Sequence, residues 1–240
     1  MAFSKKILSF FKSLDLNVGL PAGIEVMNPF RDKTTFNLCT KFYQRFYDDN
    51  NSRHIIMGIN PGRFGGGITG VPFTDPIRLQ NICGIENDFQ KKQELSSVFI
   101  YEMIDAFGGT EKFYSKFYIS SISPLGFTKN NKNLNYYDDK NLENSLKEFV
   151  IDCMVKQIKF GIETDVAFCL GEGKNFTYLS RINEEMKFFK KVTPLPHPRF
   201  IMQYKLKKKE EYIQRYLCKL AKADNAAQKN LNEPNFNILL

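Results

Sequence analysis

Chemistry in this chain concentrates in two short strings. The first runs from Gly58 to Asp75 (GINPGRFGGGITGVPFTD) and holds six glycines and two prolines. That composition permits positive φ and lets backbone approach a ligand closely. The second is Pro196-His197-Pro198-Arg199, which holds one of only 2 histidines. An imidazole there could cap a strand end, or donate a hydrogen bond to negative charge developing on a ligand. Asp75 has two readings that stay open: a general base, or the N-cap of a helix beginning at Pro76, because Asp followed by Pro is a favoured helix start. His54 reads as structural. The first string lacks both G-x-x-x-x-G-K-[ST] and G-x-G-x-x-G, so it is not a common nucleotide loop. Gly171-Glu-Gly-Lys174 is too short for a phosphate loop and reads as a strand-to-helix turn. The cysteines at 39, 83, 153, 169 and 218 form no C-x-x-C pair; that spacing argues against a zinc or iron–sulfur centre.

The elements that must position these strings follow from periodicity. Phe36, Cys39, Phe42, Tyr43, Phe46 and Tyr47 recur at helical spacing and predict a helix over Thr34 to Asp48. Arg53 to Ile59 is short, β-branched and almost wholly apolar, as a central parallel strand buried on both faces should be. A helix over Leu95 to Phe107, a strand over Phe117 to Ser121 and a long loop over Ile122 to Asp139 follow. An amphipathic helix marked by Leu142, Leu146, Phe149, Val150, Cys153 and Met154 leads to a third strand, Asp165 to Leu170. A fourth strand, Lys190 to Leu195, ends at the His197 string and precedes a lysine-rich helix. The start of the chain, MAFSKKILSFFKSL, reads as an amphipathic first helix.

Alternation of strands and helices predicts a three-layer α/β/α sandwich around a central, mostly parallel four-stranded sheet. Sites in such folds lie beyond the carboxyl ends of the strands. Both strings follow strands, so they are expected to meet there despite their separation in sequence. The length of 240 residues at 42% hydrophobic content fits one domain, read here as residues 1–222 with a flexible tail at 223–240. A net charge of +8 suits a polyanionic partner. An odd number of cysteines, no apolar run of membrane-spanning length and no secretory leader predict a reducing cytoplasm, and the chain is expected to be a monomer.

The first string resembles the opening motif of the single-strand-selective monofunctional uracil-DNA glycosylases, whose pattern is close to G-M-N-P-G-P-F-G-x-x-x-T-G-V-P-F. The family's second motif, His-Pro-Ser-Pro-Arg, is matched in shortened form by Pro196 to Arg199. Tyr118 to Leu125 resembles, more weakly, the strand and loop that read the base. The resemblance spans residues 50 to 220. It implies an enzyme that flips a damaged nucleotide out of DNA and hydrolyses its N-glycosidic bond, leaving an abasic site, with no metal or cofactor. It implies that Asn60 orients the attacking water, that His197 stabilises the anionic base, and that Phe73 stacks on the extruded base, with Ile59, Gly62 and Phe64 around it. An amide cannot accept a proton, so the reaction is expected to be dissociative unless a carboxylate such as Asp75 assists.

Two departures bear on specificity. Ser121 stands where the family has an Asn that reads the uracil edge, which opens the substrate range to other deaminated or oxidised bases. The Ser-Pro pair is missing after His197, leaving Arg199, Phe200, Met202 and Tyr204 as a differently shaped wedge for the duplex. Lys205 and Lys207 are expected either to bind DNA phosphates or to form a solvated helix start. A non-catalytic nucleic-acid-binding module of the same fold is the competing reading, and a hydrolase of free nucleosides is a third.

Overall fold

The computed structural model describes residues 1–232, with residues 224–232 described by their backbone alone. In chain order the elements are α1 (Phe3–Ser13), β1 (Ile24–Met27), α2 (Lys33–Tyr47), β2 (Arg53–Gly58), α3 (Gly66–Thr69), α4 (Pro76–Asn81), α5 (Leu95–Phe107), α6 (Thr110–Tyr114) and β3 (Phe117–Ser121). They continue with β4 (Gly126–Lys129), β5 (Lys132–Leu134), α7 (Lys140–Ser145), α8 (Lys147–Ile158), β6 (Ile162–Leu170), α9 (Lys174–Met186), β7 (Lys191–Leu195), α10 (Pro198–Tyr204) and α11 (Lys209–Asn232).

The main sheet has the order β3-β2-β6-β7, and every pairing in it is parallel. Helices cover both faces, as the apolar strands require. All six residues of β2 and all five of β3 are buried, because a central parallel strand is enclosed by helices above and below. The expected α/β/α sandwich with a four-stranded parallel sheet is therefore what the chain forms.

A second, three-stranded antiparallel sheet, β1-β4-β5, was not expected. Two of its strands lie inside the stretch read as a long loop. β4 and β5 form a hairpin through Asn130 and Asn131, both at positive φ (50° and 57°). Asparagine tolerates that conformation better than most side chains, and two such residues in sequence form the primed turn that matches strand twist. The last helix also differs from the expectation. Its backbone continues as α11 through Asn232, and Ala223 is buried. Residues 233–240, the rest of the expected tail, lie outside the described residues.

The amino end of β2 is fixed by a buried cation. Arg53 is 0% exposed. Its guanidinium donates to Tyr114 O at 2.7 Å and forms a two-point contact with Asp49, at 2.8 and 2.7 Å. It also lies over the rings of Phe3 and Tyr47, 4.7 and 4.8 Å from their centroids. One side chain thus ties α1, α2, α6 and β2 together. Removing one partner of a buried charge leaves the other uncompensated. Asp49→Ala is expected to destabilise the protein by about 2 kcal/mol, because Arg53 keeps its carbonyl partners. Urea unfolding of the two proteins measures the difference.

Candidate active site

The carboxyl ends of the parallel strands open into a cavity of about 350 Å³, the size of a small-ligand cleft. Gly58, which ends β2, pairs in register with Ser121, which ends β3. The first string leaves at Gly58, the His197 string leaves β7 after Leu195, and both reach the same cavity. Asn60, Phe73, Ser121 and His197 line it together. Ile59, Gly62, Phe64, Arg199 and Phe200 line it as well.

Asn60 is held on three sides. Its Nδ2 donates to Pro61 O and Leu134 O at 3.3 and 3.2 Å, and its Oδ1 accepts from Tyr136 N at 3.1 Å. Both donors of the amide are thereby used. The oxygen keeps one free lone pair to orient a water. Leu134 ends β5, so the small sheet fixes this side chain.

Phe73 takes φ 54°, a left-handed backbone that a bulky residue adopts only when its surroundings impose it. The imposing contacts surround Thr69, whose hydroxyl donates to Thr74 O at 2.7 Å while Thr74 N donates to Val71 O at 3.2 Å. The ring lies against the end of β2. A Cβ on Gly58 would come within 2.8 Å of Phe73 Cε2, closer than carbon atoms can approach. The ring centroid stands 6.1 Å from that of His197.

His197 accepts a hydrogen bond from Arg199 N on Nδ1, at 3.2 Å. An acceptor nitrogen carries no proton, so the neutral imidazole bears its hydrogen on Nε2. Burial, aided by the Arg199 charge, pushes the imidazole pKa down to about 4. The ring is therefore a neutral donor at physiological pH.

The Ser121 hydroxyl has no protein partner among the described residues. The adjacent Ser120 hydroxyl differs, since it donates to Gln157 Oε1. Phe64 is 36% exposed at the rim, with Lys92 Nζ 3.8 Å from its ring centroid. Arg199 and Phe200 stand exposed at the start of α10. Lys205 and Lys207 are exposed beyond its end and do not line the cavity.

Asp75 corrects one expectation. It is 0% exposed and does not line the cavity. Its Oδ1 accepts from Arg78 N at 2.8 Å, and its Oδ2 from Arg78 Nη1 at 3.1 Å and Glu94 N at 2.9 Å. It caps α4, which is the second of its two readings, and it has no free approach to a substrate. The carboxylate that does line the cavity is Glu94, at the start of α5. Reading the sequence missed it because a Glu just before an apolar helical run looks like ordinary helix-start polarity.

The contacts around Phe73 predict an unusual order of stabilities. Phe73→Ala keeps the left-handed strain and loses the ring, whereas Phe73→Gly relieves the strain. The Gly variant is expected to be about 1 kcal/mol more stable than the Ala variant, the reverse of the usual order. Thermal unfolding of the pair measures it. Gly58→Ala, in turn, is expected to displace the ring and reduce ligand stacking even where the fold survives, read as weakened binding of a free nucleobase.

Comparison with known proteins agrees with this geometry. The model of the uracil DNA glycosylase superfamily matches residues 44–221. No curated protein matches the chain. Among solved structures, wild-type SMUG2 of Pedobacter heparinus is similar over 94% of this chain and 99% of its own, at 50% identity and a TM-score of 0.91. A motif-bearing cavity at the sheet's carboxyl edge and a family match over most of the length lead to one conclusion: the chain belongs to the uracil DNA glycosylase superfamily.

Proposed function

We propose that this protein is a monofunctional DNA glycosylase of base excision repair, hydrolysing the N-glycosidic bond of uracil or a related deaminated or oxidised base and leaving an abasic site. The observation that carries this reading is the convergence of Asn60, Phe73 and His197 in one cavity, from strings far apart in sequence.

The chemistry follows from the geometry. A target base must leave the DNA stack to enter the cavity. Phe73 offers it a face, and base–aromatic stacking contributes roughly 1 to 3 kcal/mol. Breaking the bond between C1′ and the base nitrogen sends the electron pair to the base, so charge grows on its oxygen. The Nε2 proton of His197 meets that charge from a ring already neutral and already oriented. Such preorganised donors act without reorganising when the charge appears. Asn60 holds a water through the free lone pair of its oxygen. The Ser121 hydroxyl, which can donate or accept, contacts the base edge with less selectivity than an amide. No lysine lines the cavity among the described residues, which fits hydrolysis by water better than attack by an amine on the sugar.

DNA approaches from the rim. Arg199 and Phe200 sit where a wedge can fill the gap left by the flipped base, and Lys205 and Lys207 extend that side toward phosphates. Residues 1–222 form the working domain, which acts as a monomer in the cytoplasm; chain length supports the domain reading and the odd number of cysteines the location. No described helix is long and apolar enough to cross a membrane.

Base release from uracil-containing single- and double-stranded oligonucleotides, revealed by alkaline cleavage, tests the proposal. His197→Ala is expected to slow release on the order of 10² to 10³-fold, the usual cost of one lost donor to developing charge. Asn60→Ala with His197→Ala should abolish it. Salt-dependent DNA binding with no base release by the unaltered protein would instead favour the non-catalytic module.

A further inference from the structure

The cavity contains one carboxylate for which the scheme above has no use. Glu94 lines it from the start of α5, within electrostatic reach of Arg199 in the His197 string. The residue occupies the N-cap position, yet its side chain makes no capping hydrogen bond. No hydrogen bond or ion pair holds its carboxylate among the described residues. Its backbone is nonetheless fixed, because Glu94 N donates to Asp75 Oδ2 at 2.9 Å. Its carboxylate also has a place cleared for it. A Cβ on Gly65 would lie 2.0 Å from Glu94 Oε2, and Gly65 adopts φ +67°, a conformation that favours glycine. The buried Asp75 thus holds the main chain while a glycine of the first string makes room for the side chain.

Neither Asn60 nor His197 is suited to take up a proton near neutral pH. Asn60 is an amide with both donors engaged. His197 uses Nδ1 to accept from Arg199 N and carries its proton on Nε2. We propose that Glu94 is a further catalytic residue, whose carboxylate accepts the proton of the attacking water. In that step the C1′–N bond breaks and its electron pair leaves with the base. The water oxygen bonds to C1′ and one water proton passes to Glu94. The base anion then takes a proton, from the Glu94 carboxyl or from solvent. This assignment rests on the glycosylase reading given above.

The charges facing Glu94 are Arg199 from α10 and Asp75 from the cap of α4. Burial raises the Glu94 pKa to about 7, against the lowering pull of Arg199 and with a further rise from Asp75. The ionised form is the one that accepts a proton, so water activation grows as pH rises through that value. His197, with its pKa near 4, stays neutral throughout and contributes no limb there.

Single-turnover release of uracil from a single-stranded oligonucleotide, followed on both sides of pH 7, tests the assignment. For the unaltered protein the rate should climb about tenfold per pH unit below the Glu94 pKa and level off above it. Glu94→Gln should lose that limb and fall about 10²-fold on the plateau. Sodium formate should partly restore release by Glu94→Ala without changing the Kd for an undamaged oligonucleotide, measured by fluorescence anisotropy. A Glu94→Gln protein that keeps the limb, or keeps the rate, overturns the proposal. So does a loss of rate that formate does not restore and that tracks a change in Kd, since that marks a residue acting by placing Arg199. Failure of the unaltered protein to release any base would overturn the glycosylase reading itself, and Glu94's role with it.

Discussion

The site depends on one close approach. Gly58 ends the central strand, and the ring of Phe73 occupies the space that any other side chain there would fill. This contact sets how far the first string can fold back over the sheet. It therefore sets the depth of the cavity floor. The backbone accommodates it at Phe73 by entering a left-handed conformation that costs of order 1 kcal/mol or more. The hydrogen bonds around Thr69 and Thr74 hold that conformation in place. A ring fixed in this way loses little freedom when a base stacks on it, so more of the stacking energy appears as binding.

Around that floor the polar groups are arranged by denying them alternatives. His197 is kept neutral by burial, and its tautomer is chosen by a backbone N–H two residues on. Asn60 can offer only one lone pair. Asp75 is locked into a cap, where it aligns the main chain of Glu94. The two carboxyl groups differ in what surrounds them. Asp75 accepts three hydrogen bonds, whereas Glu94 accepts none among the described residues and is burdened by burial. Neighbouring carboxyl groups in such different surroundings take different roles.

Much of this was legible in the sequence, and for definite reasons. β2, β3 and the carboxyl end of β6, from Ala167 to Leu170, are short buried runs enclosed on both faces, and such runs announce themselves. The cap reading of Asp75 was open in the sequence because Asp-Pro is a local signal, but only its burial and its three hydrogen bonds decide against the general base. β1 and β5 were not legible: β1 buries only its first residue well, and β5 has two exposed residues of three. Strands so short and polar carry no period. Their pairing is decided by the Asn130-Asn131 turn and by contacts distant in sequence. Glu94 escaped for a related reason. Its significance comes from Gly65 and Asp75, and nothing in its own neighbours distinguishes it from a solvated helix start. The helical backbone of α11 past Lys222 was not legible either, because that stretch is polar and carries little periodicity.

The small sheet explains how a loop so rich in glycine can hold a reacting geometry. Glycine lets the first string approach a base closely, but it also leaves the unfolded chain more freedom to lose. The hairpin of β4 and β5 supplies the missing restraint. Leu134 O and Tyr136 N bind the two ends of the Asn60 amide, and Asn133 Oδ1 accepts from Arg63 N at 2.9 Å. At Gly126 a Cβ would collide with Pro61 O at 2.5 Å, so β4 presses against the turn itself. The parallel sheet places the string, and the antiparallel sheet makes it rigid. The proposed role of Asn60 in orienting a water draws on both restraints.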